Sequence, residues 1–370
     1  MLPYENAMTT APGAWAGAIV PPLTHGGPQW NRIHLERGCS VSVLEDGFGR
    51  RFCYLRLSIT EACNFSCTYC LPDGYRRSGA HDFLSPEEIS RLIGAFVRAG
   101  VCKVRLTGGE PAVRKDLDAI ISRVARSGVE KIALTTNGWS LEKKVADWRA
   151  AGLTHLNVSV DSLDAGVFAR VTGHDRLPSI LTGLERALDG GFTAVKLNAV
   201  LLRGTVGDGF DAYADYVRAR PVSVRFIELM RTGDNADYFA AEHVSGAVLR
   251  DWLKVRGWSP RAREGDDGPA VEFSHPDYLG RFGLIAPYAP GFCDGCNRLR
   301  VTARGRLRLC LFGDGGLDLR DLLQSNADQD ALIARIRTAL GAKPQGHRLG
   351  DGDTGATRRL FPTKWTPVRR

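Results

Sequence analysis

From Tyr54 onward, short β-branched or apolar runs alternate with longer amphipathic stretches. The runs predict strands over Tyr54–Ile59, Lys103–Thr107, Lys131–Thr135, His155–Val160, Val195–Leu201 and Val222–Ile227. The best-punctuated helix between them has Ser85 as its N-cap. Pro86 takes the first helical position, Glu88 stands three residues past the cap, and Gly100 follows the end. Six strand–helix units in series predict an α/β fold with a parallel sheet, either a partial barrel or a doubly wound fold. The placement of the polar motifs favours the barrel. Glu61–Cys70, Thr107–Pro111 and Thr135–Gly138 follow the first three strands, and Asn157–Asp161 covers the end of the fourth. Barrels carry functional residues at the C-terminal ends of their strands, so one shared mouth is expected.

The alternation weakens past about residue 240, where Val244–Arg256 predicts one more helix. Gly-rich loops then lead to a second group of cysteines. Residues 1–31 are rich in Pro, Gly and Ala and have no periodicity. The expected division is a loose extension over 1–45, a partial barrel over 46–285, a C-terminal region over 286–345 and a tail over 346–370.

Composition narrows the class. Apolar residues make up 44% and charged residues 24% of the chain, which excludes a disordered or collagen-like protein. No run of about 18 apolar residues occurs, so no membrane span is expected. Lys and Arg exceed Asp and Glu by 49 to 41, a formal charge of +8. That excess suits a solvated surface or a polyanionic partner such as a nucleotide. No basic block interleaved with aromatics is present, so extended nucleic-acid binding is not expected. No Lys or Arg precedes Arg32, so neither a signal peptide nor a transit peptide is read, and a reducing cytoplasm is the expected compartment. There the nine cysteines suit metal better than disulfides.

Cys63, Cys67 and Cys70 have the spacing C-x3-C-x2-C. With nine cysteines in 370 residues, the pattern arises by chance in about 0.5% of such chains. Three thiolates on one loop can hold three irons of a [4Fe–4S] cluster and leave the fourth iron open. Structural zinc, the rival metal, normally takes four ligands. Cys293, Cys296 and Cys310 form a second group, C-x2-C-x13-C. Half a zinc ribbon completed by His275 or His347 is the alternative there. Arg298 and Arg300 follow two and four residues after Cys296, so on an extended strand they share one face, as a triphosphate clamp would require. Cys39, Cys53 and Cys102 are isolated and read as structural thiols.

Cys63-Asn-Phe-Ser-Cys67-Thr-Tyr-Cys70, followed by Thr107-Gly108-Gly109-Glu110-Pro111, resembles the radical SAM superfamily. With the second cysteine group, Gly49-Arg50-Arg51, Leu71-Pro72-Asp73-Gly74-Tyr75 and Arg225-Phe226-Ile227-Glu228-Leu229-Met230, the chain is similar to the GTP 3′,8-cyclases of molybdenum cofactor biosynthesis, from about Arg50 to about residue 357. The resemblance implies an incomplete (βα)6 TIM-type barrel with a C-terminal extension carrying a second Fe–S cluster. It implies two [4Fe–4S] clusters: Cys63, Cys67 and Cys70 hold the one that serves S-adenosylmethionine (SAM), and Cys293, Cys296 and Cys310 hold the other. SAM contacts map to Tyr69, Gly109, Ser159 and Met230. GTP contacts map to Arg56, Arg105, Thr136, Lys196, Arg298 and Arg300. The implied reaction begins with reductive cleavage of SAM, proceeds by removal of the 3′ hydrogen of GTP, and ends with ring closure onto C8 of guanine. The implied partners are GTP, a reductant protein such as flavodoxin or ferredoxin, the downstream cyclic pyranopterin monophosphate synthase, and a second copy of the chain as a homodimer.

One departure stands out. The family ends in Gly-Gly, whereas this sequence closes on the bulky, basic Arg358–Arg370. A paralogue with altered substrate or low activity is therefore an alternative, as is another radical SAM enzyme with an auxiliary cluster, such as a peptide modifier. A zinc-bearing module that grips nucleic acid is the reading from a different class. Removal of Arg358–Arg370 is expected to leave iron content unchanged.

Overall fold

The structure, a computed structural model, describes residues 43–76, 82–206, 208–263, 267–313 and 316–349. The described residues all fall within one compact unit. The expectations for the N-terminal extension, Cys39 and the Arg358–Arg370 tail lie outside the described residues.

The six predicted units are all present. They run β1 (Tyr54–Thr60), α1 (Pro86–Arg98), β2 (Lys103–Gly108), α2 (Leu117–Arg126), β3 (Lys131–Thr136), α3 (Leu141–Ala150), β4 (His155–Ser159), α4 (Ala165–Thr172), α5 (Leu177–Asp189), β5 (Ala194–Leu201), α6 (Asp208–Arg218) and β6 (Val222–Glu228). The chain continues through α7 (Ala236–Glu242), α8 (Ala247–Val255), β7 (Ser259–Pro260), β8 (Val271–Ser274) and β9 (Arg281–Ile285). It then forms β10 (Arg298–Val301), β11 (Arg306–Arg308), β12 (Leu317–Asp318) and α9 (Gln329–Leu340).

All twelve strands join one sheet in the order β12-β11-β10-β1-β2-β3-β4-β5-β6-β9-β8-β7. β1 to β6 are mutually parallel. The C-terminal region is more than an extension. β9 adds parallel to β6 at one edge, and β10 adds parallel to β1 at the other. Short antiparallel strands finish each side. β9 and β10 escaped the sequence reading because each is short and no helix of its own follows it. The sheet also continues across residue 285, where a boundary was expected.

Side-chain alternation along the strands explains the interior. Leu55, Leu57 and Ile59 on β1, Val104 and Leu106 on β2, and Leu197, Ala199 and Leu201 on β5 are buried in the apolar core. Their neighbours at the intervening positions, Arg56, Arg105, Thr107, Lys196 and Asn198, line a cavity instead. An ordinary doubly covered parallel strand is apolar on both faces. Here one face of each strand is given over to polar and charged groups, so the barrel has a hydrophilic centre.

α1 starts as the sequence predicts. Ser85 Oγ accepts from the Glu88 N–H at 3.2 Å, and Glu88 Oε2 accepts from the Ser85 N–H at 2.8 Å. Glu88 also binds the C-terminal region: Arg320 Nε and Gln324 Nε2 donate to its Oε1 at 2.8 and 3.0 Å.

Candidate active site

The first cysteine loop leaves β1 and is fastened on every side. The Ser66 and Thr68 N–H groups donate to Thr172 and Val171 carbonyls at the end of α4. The Phe65 ring packs against Trp139, Phe168 and His174, with centroids 5.9, 6.3 and 5.0 Å away. The glycine motif supports the loop from below. Gly108 has φ +150°, and a Cβ there would strike the Thr60 carbonyl; a Cβ on Gly109 would strike the Ala62 carbonyl. The two glycines are thus required by the close approach of the chain's own backbone. Glu110, 1% exposed, completes the support. Its carboxylate accepts from Ala112 N, Thr136 Oγ1 and Asn137 N at 2.9, 2.7 and 2.5 Å. Asn137 Nδ2 in turn donates to Asn64 Oδ1 at 2.8 Å, beside Cys63.

Tyr69, between the second and third cysteines, donates through its hydroxyl to Asp161 at 2.9 Å. Burial, then Asp161 and the neighbouring thiols, holds the Cys67 thiol well above its usual range, and burial with Cys63 and Asp161 pushes Cys70 up to about 12. These thiols ionise only with strong positive compensation, which iron supplies. Among the described residues no three His, Cys, Asp or Glu side chains close on a single metal ion. A four-iron cluster takes one thiolate per iron, so its donors need not meet at a point, and the donor set fits it.

Below the loop lies a cavity of about 310 Å³ inside the barrel. Tyr69, Cys70, Gly109 and Ser159 reach it from the strand ends, and Arg56, Arg105 and Lys196 from the walls. Cross-strand register places Arg300, Arg56 and Arg105 side by side on β10, β1 and β2. Like charges in direct opposition repel. Burial and its cationic neighbours push Arg56 down to about 10 and Arg300 down to about 9. Arg105 Nε, Arg225 Nε and Arg298 Nε are buried without a partner among the described residues. An anion is the group that satisfies such donors and relieves such repulsion. Lys196 is engaged by Glu272 of β8 at 3.4 Å. Glu272 also accepts from Ser223 Oγ at 3.1 Å.

Cys293, Cys296 and Cys310 line a second cavity of about 110 Å³, with Arg298, Arg300, Phe312 and Lys343. Arg56 borders both cavities. Arg298 Nη2 lies 3.9 Å from Cys296 Sγ, and although burial alone would raise that thiol, the Arg298 and Lys343 charges bring it below its usual range. Arg50, just ahead of β1, fixes the Cys293 loop. It donates to the Cys293, Gln345 and Pro344 carbonyls and is held by Asp46 at 2.7 Å. Of the two histidines considered for zinc, His347 lines this cavity, while His275 packs against Trp258 and Tyr278. The three thiols and the adjacent cations suit a cluster that keeps one iron for an outside ligand.

Two assigned residues fall elsewhere. Thr136 is 1% exposed, and its hydroxyl is given to Glu110. Thr135 lines the cavity instead, because adjacent residues of a strand face opposite sides. Met230, past the end of β6, lines the cavity of the second cysteines and not the one shared by Tyr69, Gly109 and Ser159. Residues the sequence reading passed over include Lys103, His155, Asn157 and Arg225, all lining the larger cavity. Arg225 Nη2 donates to Asn157 Oδ1. For three of them a signal was available: Lys103 shares strand parity with Arg105, and His155 and Asn157 share it with Ser159. Of the isolated thiols, Cys53 and Cys102 were expected to be buried but are half-buried, with Cys102 Sγ donating to the Cys53 carbonyl at 3.6 Å.

Comparison with known proteins agrees with this layout. Residues 57–217 match the radical SAM superfamily, and residues 222–349 match the Molybdenum Cofactor Synthesis C family. A GTP 3′,8-cyclase of Stenotrophomonas maltophilia is 57% identical over 86% of this chain and 98% of its own length. Those of Aeromonas hydrophila and Vibrio cholerae are 52% and 50% identical, over 95% and 98% of their lengths. Among solved structures, Streptococcus suis SuiB bound to S-adenosylmethionine has a TM-score of 0.58 at 16% identity, covering 84% of this chain and 72% of its own. The protein anSMEcpe with bound AdoMet and a peptide has a TM-score of 0.50 at 13% identity, covering 77% and 83%. The latter two likenesses bear on the fold alone. With its cysteine loop, glycine turn and second thiol trio in one barrel, the chain belongs to the GTP 3′,8-cyclase family of radical SAM proteins.

Proposed function

We propose that the chain is a GTP 3′,8-cyclase, converting GTP to (8S)-3′,8-cyclo-7,8-dihydroguanosine 5′-triphosphate in molybdenum cofactor biosynthesis. The observation that carries this reading is the row Arg300–Arg56–Arg105 between two cysteine trios, with the Nε donors of Arg105, Arg225 and Arg298 buried without a partner among the described residues. Cys63, Cys67 and Cys70 would hold the [4Fe–4S] cluster that serves SAM, and Cys293, Cys296 and Cys310 the second. When bound, these groups supply one-electron cleavage of the SAM sulfonium and an iron site for guanine.

The protein's own contribution is placement. Arg56, Arg105, Lys196, Arg298 and Arg300 bind the triphosphate and neutralise it. Tyr69, Gly109 and Ser159 frame the SAM end, with Asp161 fixing the Tyr69 ring through its hydroxyl. The enclosing strands keep water from a reaction in which ribose and base must meet in near contact. Lys103, Thr135 and Arg225 extend the assigned set of substrate contacts, and Thr136 acts through Glu110 as a support of the cysteine loop.

The family reading brings a flavodoxin- or ferredoxin-type reductant, a downstream cyclic pyranopterin monophosphate synthase and a homodimer as proposed partners, in the cytoplasm. No helix among the described residues is long and apolar enough to cross a membrane. The test is anaerobic purification and an iron count of about eight per chain. Dithionite, SAM and GTP should then yield 5′-deoxyadenosine together with the cyclised nucleotide. Deoxyadenosine without the cyclised nucleotide, from fully loaded protein, would favour a paralogue with another substrate.

A further inference from the structure

We propose that His155 is a proton-switched ligand for the substrate's phosphates: neutral in the empty barrel, it takes one proton from solvent as the triphosphate enters and donates it in a hydrogen bond to a phosphate oxygen. This deepens the reading of GTP as substrate and rests on it.

The placement is the first argument. His155 lines the larger cavity from β4. The register carries the row Arg300–Arg56–Arg105 through Ala133 on β3 to His155, and on to Ala194 on β5. Its two cross-strand neighbours are therefore alanines, which crowd the ring least. His155 closes a row of cations with the one side chain there whose charge is adjustable near neutral pH.

The second argument is the hydrogen bonding of the ring. His155 Nδ1 lies 2.7 Å from Thr154 Oγ1. That hydroxyl accepts from the Ile132 N–H at 2.9 Å and donates to the Ile132 carbonyl at 3.0 Å. With its single proton given to Ile132, the hydroxyl accepts from Nδ1–H. Nε2 is then the nitrogen with the lone pair, the one that can take up a proton.

The charges around the ring give the direction. Lys103 and Arg105 from β2, Lys131 from β3 and Lys196 from β5 all act on it. Of these cations, Lys196 is engaged by Glu272 of β8. Burial first, then these cations, push the imidazole down to about 4. A triphosphate seated among the same cations reverses the local sign and raises the imidazole. Between the two values GTP binding takes up a proton, so affinity strengthens as pH falls from 7.5 toward 5. Below about 4 both states are protonated and the dependence ends. The terminal phosphate loses its own proton on binding to cations, an effect of opposite sign. A variant that cannot titrate separates the two.

The experiment is calorimetric titration of GTP into anaerobic, cluster-loaded protein, without SAM or reductant. It is run at pH 6 in buffers of different ionisation enthalpy, on the wild type and on His155→Gln, with His155→Asn as the second variant. The wild type should take up about half to one proton more per GTP than either variant. Its affinity should fall about fivefold more between pH 5.5 and 7.5. Equal proton counts and parallel pH profiles, with GTP bound, would overturn the proposal and leave the substrate reading intact. Failure of the wild type to bind GTP at any pH would overturn both.

Discussion

Arg56 and Arg300 stand directly opposite one another on neighbouring parallel strands, with Arg105 opposite Arg56 on its other side. Three guanidiniums in one row make the empty barrel electrostatically strained. Each cation is uncomfortable alone and useful together, because a triphosphate brings the charges that relieve them. The protein should therefore melt higher with inorganic tripolyphosphate, by the equivalent of about 2.7 kcal/mol at a hundredfold excess over Kd. Arg56→Gln should raise the melting temperature of the empty protein while weakening GTP about 10- to 100-fold, as loss of a charged hydrogen bond predicts. A variant that melts lower than wild type without ligand would refute the strain argument.

The two thiol trios are separable. Cys310→Ala should lower iron from about eight to about four per chain and leave SAM-dependent formation of 5′-deoxyadenosine in place. Arg50→Ala should do the same indirectly, because it releases the carbonyls of Cys293, Pro344 and Gln345 at once. Anaerobic iron analysis is the measurement. Loss of all iron from either variant would show that the sites depend on each other.

Gly109→Ala places a methyl against the Ala62 carbonyl, between strand β1 and Cys63. The loop must move, so the first cluster should be lost while the second remains. Electron paramagnetic resonance of the reduced protein reads the two separately. An unperturbed first-cluster signal would mean that the backbone gives way without cost.

Glu88 ties α1 to the C-terminal region through Arg320, and these contacts outweigh the effect of burial to hold its carboxyl down at about 2. For an acid held low, the stabilisation is complete above its unfolded value near 4.5 and is lost as pH falls toward 2. Glu88→Gln should cost about 1–3 kcal/mol at pH 7 in urea denaturation. The difference from wild type should shrink between pH 4.5 and 2. A constant difference across that window would assign the cost to packing.

Lys196 faces a choice between Glu272 and the substrate. Glu272→Gln removes the competing charge, so KM for GTP should fall about three- to tenfold. The kcat should stay level, because the change acts on binding alone. A raised KM would make Glu272 a support for Lys196 instead of a rival to the phosphates.

Much of this was legible in the sequence because strands and cysteine loops announce themselves locally. The six strands begin and end within a residue or so of the predicted bounds. The Ser85–Glu88 box caps its helix as read. What escaped needed long-range knowledge. Strands β9 and β10 are five- and four-residue segments defined by which edge they complete, and nothing local reveals that edge. Thr136 faces the core and Thr135 the cavity, a difference of one residue of parity that the sequence pattern alone does not resolve. Arg225 was passed over because single cations on strands are common, and Lys103 because its parity with Arg105 was not followed. Only the assembled barrel shows that they look inward together. Glu272, which meets Lys196 across 76 positions of chain, could not be paired with it before the sheet was known.

The position of β10 beside β1 also sets an order of events during synthesis. Tyr54 pairs with Arg298, so one edge of the barrel is bare until more than two hundred further residues have been made. The opposite edge, at β6, waits for β9. A nascent chain released early would carry two open parallel edges and a charged interior with nothing to neutralise it, a state prone to pairing with other chains. The segment that brings the second thiol trio thus also seals the vessel, and a chain cut short of Val301 should be found in aggregates rather than as a partial enzyme.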